Sequence, residues 1–280
     1  MLRSKFRLNM VIFIMMSFLI PMGTFVFPVF SNAESLTIRG STTVLPIAQK
    51  AAERYMNLHR EANISVSGGG SGTGIKALLD GSVDIANASR PMKEKELKIA
   101  RKRGITPCEH IIAKDGIAVI VHPKNPVSAL TKAQIKEIYT GKIKNWSELG
   151  GPDRKIVVIS RESTSGTFEC FNKIVLKKAK VVPSALLQAA NATVVQTVSQ
   201  TKGAIGYVGI GYLDKRIKAI KVEGVYPTVA TVVDGTYPIS RPLFMYTNGK
   251  PKGLCARFID FVLSPKGQKI VQEEGFVAIR

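Results

Sequence analysis

The stretch Ile159-Ser160-Arg161-Glu162-Ser163-Thr164-Ser165-Gly166-Thr167-Phe168 decides how the rest of the chain is read. It follows an apolar run with strand character, Lys155-Ile156-Val157-Val158-Ile159, and precedes a helical pattern from Phe168 to Lys178. Between the two lie an arginine, a row of hydroxyl side chains and a glycine. The first turn of a helix leaves backbone N–H groups unpaired at the positive end of the dipole, and both features favour an anion. Gly166 lets the backbone approach closely, Ser165 and Thr167 donate from side chain and main chain, and Arg161 offers a planar fork of donors. An ordinary capped helix start uses the same residue types. The anion reading therefore depends on whether the arrangement recurs.

It does recur. Leu36-Thr37-Ile38-Arg39 reads as a short strand, Gly40-Ser41-Thr42-Thr43 follows, and a helix runs on to Leu58 with Pro46 in its first turn, where a missing N–H costs little. Ile64-Ser65-Val66-Ser67 alternates as a strand does and leads through Gly68-Gly69-Gly70-Ser71-Gly72-Thr73-Gly74 into a short helix from Ile75. That glycine run lacks the spacing of a dinucleotide fingerprint, and Lys76 lacks the Ser/Thr neighbour of a Walker-type loop. Val83-Asp84-Ile85-Ala86-Asn87-Ala88 is a third strand, with Ser89 and Arg90 at its C-terminal end, where ligands sit in open α/β sheets.

Further along, Lys93–Arg103 and Lys132–Tyr139 read as helices around the strand Lys114–Pro123. The single tryptophan, Trp146, reads as a packing anchor. A helix is expected over Gln188–Gln200, and strands over Ala204–Val208, Lys218–Val225, Tyr226–Val233 and Ile239–Tyr246. In the last of these Pro242 suggests an edge or a crossover. Helices Gly253–Leu263 and Lys266–Glu274 close the chain. Strands alternating with helices predict an α/β fold with mainly parallel sheets.

Composition narrows the function. Lys and Arg total 40 against 20 Asp and Glu, and 45% of residues are hydrophobic. The basic residues are dispersed and aromatics are only 7%, which argues against nucleic-acid binding. Arg3, Lys5 and Arg7, the apolar run Met10–Ile20 and the small residues Ser31-Asn32-Ala33 make a secretory signal peptide, residues 1–33, cut after Ala33. Pro21, Gly23 and Pro28 interrupt the apolar stretch and argue against an uncleaved anchor. The remainder carries 37 basic and 20 acidic residues, a net +17 that would steer anions inward. Cys108, Cys170 and Cys255 are an odd number, so at least one thiol is free or paired elsewhere. No Cys/His spacing suits a metal, no cofactor is implied, and His59, His110 and His122 read as surface or structural residues.

The polar loops at Arg39-Gly40-Ser41-Thr42-Thr43, Gly68–Gly74, Ala88-Ser89-Arg90 and Arg161–Thr167, in that order and spacing, resemble the PstS family of phosphate-binding proteins. Lys114–Val119, Ile135–Trp146 and Ala204–Tyr207 extend the resemblance over nearly the whole exported chain. It implies a two-lobed periplasmic-binding-protein fold of type II with the ligand in the interlobe cleft. Lobe 1 would be residues 34–115 plus 236–280, and lobe 2 residues 116–235. It implies phosphate contacts from Ser41, Thr42, Thr43, Ser71, Ser89, Arg90, Arg161, Ser165, Gly166 and Thr167. It further implies a periplasmic monomer that delivers phosphate to the membrane permease of an ABC transporter and is not an enzyme. Some members place a proton-accepting aspartate where Arg90 stands here, as an arginine does in another branch of the family, so selectivity over sulfate would need another acceptor, Asp115 or Glu162. The alternatives are the same fold with sulfate, molybdate or a phosphonate, or a sensing or adhesive role. A hydrolase with Ser165 as nucleophile lacks the base and the GxSxG setting.

Overall fold

Strand β1 (Glu34–Gly40) turns Leu36, Ile38 and Gly40 inward, with exposed residues between them. The computed structural model describes residues 34–279, so the expected leader and its cleavage site lie outside the described residues. After β1, the hydroxyl of Ser41 accepts from the N–H groups of Thr43 and Val44 at 3.1 and 3.4 Å, and α1 (Leu45–Leu58) begins. Strand β2 (Ala62–Ser67) leads into α2 (Ser71–Leu79), and β3 (Ile85–Ala88) into α3 (Glu94–Lys102). The long β4 (Pro107–Val121) is followed by β5 (Ala129–Leu130) and by α4 (Lys132–Tyr139), capped by Thr131 with Gln134 in return. Then come β6 (Val157–Arg161), α5 (Gly166–Phe171), β7 (Leu186–Gln188), α6 (Asn191–Gln200) and β8 (Ala204–Gly209). Two short strands, β9 (Lys218–Ala219) and β10 (Lys221–Val222), precede α7 (Val229–Val233), β11 (Ser240–Asn248), α8 (Gly253–Leu263) and α9 (Pro265–Glu273).

The main sheet has the order β2-β1-β3-β11-β4-β8-β6-β7. β1 is parallel to β2 and β3, and β6 is parallel to β7 and β8. β11 and β4 run antiparallel through the middle. The first part of β4 pairs with β11, and its second part, from Ile117 on, pairs with β8. The hydrophobic interior divides at the same place. Ile112 and Ala113 pack with α1, α8 and α9, whereas Ile117 to Val121 pack with α4, α6 and the strands around β6. Both cores therefore share β4, and Asp115 lies between them.

The mixed sheet corrects the mainly parallel expectation, and the two central antiparallel strands are the reason. Pro242 lies on β11 where only β4 pairs with it, before the pairing with β3 begins at Phe244, so it is locally an edge position of a strand that is central further on. Its missing N–H is accommodated because Lys114 opposite exchanges both backbone hydrogen bonds with Val277. Tyr226–Val233 is not a strand: Thr228 and Thr231 cap each other and start α7. There β-branched composition is overridden by the cap. The helix expected from Gln188 begins at Asn191, because Leu186–Gln188 pairs with β6. The helix after Arg161 starts at Gly166, two residues earlier than the apolar pattern indicates. It widens into a π turn over Asn172–Leu176 and ends at Lys177 and Lys178 in left-handed conformation. Lys218–Val225 is broken into two-residue strands.

Trp146 is fully buried and donates its indole N–H to the Gly203 carbonyl at 2.9 Å, a packing anchor as expected. Cys108, Cys170 and Cys255 are all free thiols. No helix among the described residues is long and apolar enough to cross a membrane.

Candidate functional site

The loops singled out in the sequence end at one place. β1, β3 and β6 deliver their C-terminal ends to a cluster of buried polar residues. In it Ser41, Thr42, Thr43, Ser71, Ser89, Arg161, Ser165 and Thr167 are all nearly solvent-free. Burying so many polar groups is unfavourable unless each finds a partner.

Contacts run across the cleft between the two halves of the sheet. The hydroxyls of Thr43 and Thr167 lie 3.0 Å apart. Gly72 N–H at the start of α2 donates to the Thr164 carbonyl at 2.9 Å. Ser89 N–H donates to the Ser71 hydroxyl at 3.0 Å, and the two serine oxygens are 3.3 Å apart. Gly166 sits against this pair: a Cβ there would lie 2.4 Å from Ser71 Oγ and 2.7 Å from Ser89 Oγ. Only glycine allows that approach. Ser165 caps α5, its hydroxyl accepting from Phe168 N–H at 3.2 Å, so its own proton is free to donate.

Arg161 is held from behind. Its Nε donates to the Gln188 carbonyl at 2.9 Å, and its Nη2 to the Ala189 carbonyl at 2.8 Å and the Thr42 hydroxyl at 3.1 Å. Its backbone N–H donates to Tyr207 Oη at 3.2 Å, and the Tyr207 ring stacks on Phe171 with centroids 4.0 Å apart. Nη1 is buried and has no partner. Burial lowers the Arg161 guanidinium to about 10, still charged at neutral pH. No carboxylate forms an ion pair with it among the described residues. A desolvated cation with an unpaired donor is a costly arrangement unless an anion completes it.

Arg90 is placed differently. Its Nη1 and Nη2 grip Glu96 at 2.8 Å each, and its Nη1 also donates to the Pro91 carbonyl at 2.9 Å. Its Nε lies 3.0 Å from Glu169 of α5, a charge contact rather than an aligned hydrogen bond. Lys93 meets the other Glu169 oxygen at 2.6 Å. Of the two carboxylates considered as proton acceptors, Glu162 is exposed and Asp115 is fully buried in the cluster.

Two members of the cluster are absent from the sequence-derived set. Asn191, the first residue of α6, directs its Nδ2 to the hydroxyls of Thr42 and Thr43, 3.1 Å each. Arg241 reaches in from β11. It pairs with Asp115 directly opposite on β4 and lies 3.2 Å from the Thr43 hydroxyl, 2.9 Å from that of Thr167 and 3.1 Å from the Ser89 carbonyl. A lone charge in the apolar run Ile239–Tyr246 was the available signal for Arg241. Asn191 had none beyond a helix start. Tyr212 adds a hydrogen bond to the Thr42 carbonyl.

A family model described as a PBP superfamily domain matches residues 30–266. The phosphate-binding protein PstS of Bacillus subtilis (strain 168) is 38% identical over 247 residues, covering 88% of this chain and 81% of the relative. This chain is a member of the PstS family. PstS of Staphylococcus epidermidis is 35% identical over 253 residues, covering 85% of the chain and 77% of that protein. Among solved structures, one described as a phosphate ABC transporter substrate-binding protein of Clostridium perfringens, with bound phosphate, superposes with a TM-score of 0.82. It is 38% identical over 88% of this chain and 100% of its own. An ABC-type phosphate transport receptor of Vibrio cholerae gives a TM-score of 0.71 at 35% identity, over 86% of this chain and 99% of its own. The fold is the two-lobed one of these PstS-like proteins, and the shared β4 is a strand that passes between its two cores.

Proposed function

We propose that this chain binds inorganic phosphate outside the cytoplasmic membrane and hands it to the permease of an ABC transporter, without catalysing a reaction. The observation that carries the reading is the buried, unpartnered Nη1 of Arg161 amid the hydroxyls of Thr42, Thr43, Ser71, Ser89, Ser165 and Thr167. Names borne by the relatives, phosphate-binding protein and phosphate transport receptor, support it. Lobe 1 is read as residues 34–115 plus 236–280 and lobe 2 as 116–235. The separate cores support that division except at Tyr237, Ile239 and Val277, which pack in the core of lobe 2. Export rests on the leader read in the sequence.

In this reading the ligand is dehydrated on entry, and hydroxyls, backbone N–H groups and Arg161 replace its water. Contacts from both lobes give the ligand greater affinity for the closed state, which is what drives closure. Glu169, joined to Arg90 and Lys93 on the other side of the cleft, fastens the rim. Phosphate is preferred to a substrate that would be cleaved, because the site offers donors and no unengaged base.

The test is calorimetric titration of the full chain, stripped of bound anion, with inorganic phosphate, followed by competition with sulfate, arsenate and molybdate. One-to-one phosphate binding is expected, and its survival in excess sulfate would show that an acceptor other than the Arg90 position takes the phosphate proton. Tighter sulfate or molybdate binding would replace phosphate by that anion, and no binding of any oxyanion would remove the reading.

A further inference from the structure

We propose that Arg241 and Asn191 fix the direction of the site's hydroxyl protons, and that Asp115 positions Arg241 to do so. The inference rests on the phosphate-binding reading and adds to it the means by which the site becomes a field of donors.

A threonine hydroxyl has one proton and two lone pairs. Thr42 Oγ1 accepts from Arg161 Nη2 and from Asn191 Nδ2, both at 3.1 Å, so its lone pairs are filled and its proton must go elsewhere. The second Asn191 Nδ2 proton goes to Thr43 Oγ1 at 3.1 Å. The amide's sense follows from its other end: Gly209 N–H faces Oδ1 at 3.4 Å, which requires the NH2 group on the threonine side. Arg241 Nη2 has two protons. One goes to Asp115 Oδ2 at 2.8 Å, and the other is shared by Thr43 and Thr167 at 3.2 and 2.9 Å. The lone pairs of Thr43 are then both filled, so its proton closes the 3.0 Å contact by donating to Thr167, and the Thr167 proton is left to point away. Thr42 and Thr167 thus offer protons, not lone pairs, to whatever lies beside them. An oxyanion is matched by such a set, and a neutral polar molecule that must also donate is not.

Net charge cannot be the purpose of Arg241. Asp115 is fully buried against it, with Oδ2 accepting from Arg241 Nε at 3.1 Å as well as from Nη2, and Oδ1 from Ile210 N–H at 3.0 Å. The pair is electrically balanced, and Arg161 remains the uncompensated cation. What Asp115 supplies is aim: its partner sits opposite on the neighbouring strand, and the carboxylate grips two of the guanidinium nitrogens. Arg241 thereby spans Thr43, before α1, and Thr167, in α5, from β11.

The experiment is calorimetric phosphate titration of the full chain as wild type, Arg241→Gln, Asp115→Asn and the double variant, with circular dichroism melts to establish folding. If orientation is the role, phosphate affinity falls on the order of 100-fold in Arg241→Gln and roughly tenfold in Asp115→Asn. The double variant, whose net charge equals that of wild type, stays within about threefold of Arg241→Gln, because residues acting through one group are not additive. A merely electrostatic pair gives the opposite pattern: Asp115→Asn binds phosphate more tightly and the double variant returns to wild-type affinity. Either result overturns the proposal. Arg241→Lys keeps the charge without the fork, and wild-type affinity in that variant overturns it too, independently of how Asp115→Asn folds. A wild-type chain that binds no oxyanion defeats the phosphate reading itself. Binding by wild type with all variants unchanged defeats only the orienting role.

Discussion

Arg161 and Arg90 read alike in the sequence and behave as opposites in the structure. Arg161 ends a strand and Arg90 lies two residues beyond one, each follows a serine and each precedes a helix. Arg161 meets carbonyls and a hydroxyl, and its Nη1 meets nothing. Arg90 meets two carboxylates, Glu96 and Glu169. The difference lies in the neighbours. Glu96 is the third residue of α3, where its carboxylate accepts from Lys93 N–H at 2.8 Å, and from there it also grips Arg90. An arginine with carboxylates in reach is neutralised and becomes a clasp. One held only by neutral acceptors keeps its charge for a ligand.

The contrast can be broken most forcefully at Arg161. Arg161→Ala removes charge-assisted bonds in a buried site and is expected to cost phosphate binding roughly 3–5 kcal/mol, a loss beyond 100-fold by calorimetry. Gly166→Ala forces a methyl group against Ser71 and Ser89 and should cost on the order of 1–3 kcal/mol of phosphate affinity, with the melting temperature of the unliganded chain little changed. A variant that binds as wild type would show that the cleft need not close this far. Arg90→Gln leaves Glu96 and Glu169 without their cation. Its main effect should be a lower unfolding free energy, by about 1–3 kcal/mol, with phosphate affinity reduced less than about tenfold. The smallest effect is expected for Glu169→Gln, about 1 kcal/mol or less, because this carboxylate is partly open to solvent. Stopped-flow release of phosphate should quicken a few-fold, and high salt should narrow the difference from wild type.

Much of this was legible before any coordinates. Recurrent strand, hydroxyl loop and helix gave the α/β class, and the loops at Ser41–Thr43, Ser71, Ser89 and Ser165–Thr167 come together because β1, β2 and β3 run one way, β6 runs the other, and their C-terminal ends face each other across the middle of β4. Caps explain the local misreadings: α5 begins at Gly166 because Ser165 caps it, and α7 forms because Thr228 does the same. Arg241 and Asn191 were not legible because their roles are tertiary. Arg241 meets Thr43 from 198 positions away in the chain, and Asn191 meets Thr42 from 149. No local pattern encodes such meetings. The antiparallel pairing of β4 with β11 was hidden for the same reason, although its consequence, a buried Asp115 facing Arg241, organises the middle of the molecule.

The central claim is that the cation left unneutralised, Arg161, is the one that holds the anion. Parallel phosphate titrations of Arg161→Ala and Arg90→Gln, both checked for folding, test it directly. The account predicts that Arg161→Ala loses phosphate binding and that Arg90→Gln retains it within about tenfold. Retained affinity in Arg161→Ala together with its loss in Arg90→Gln would contradict the account.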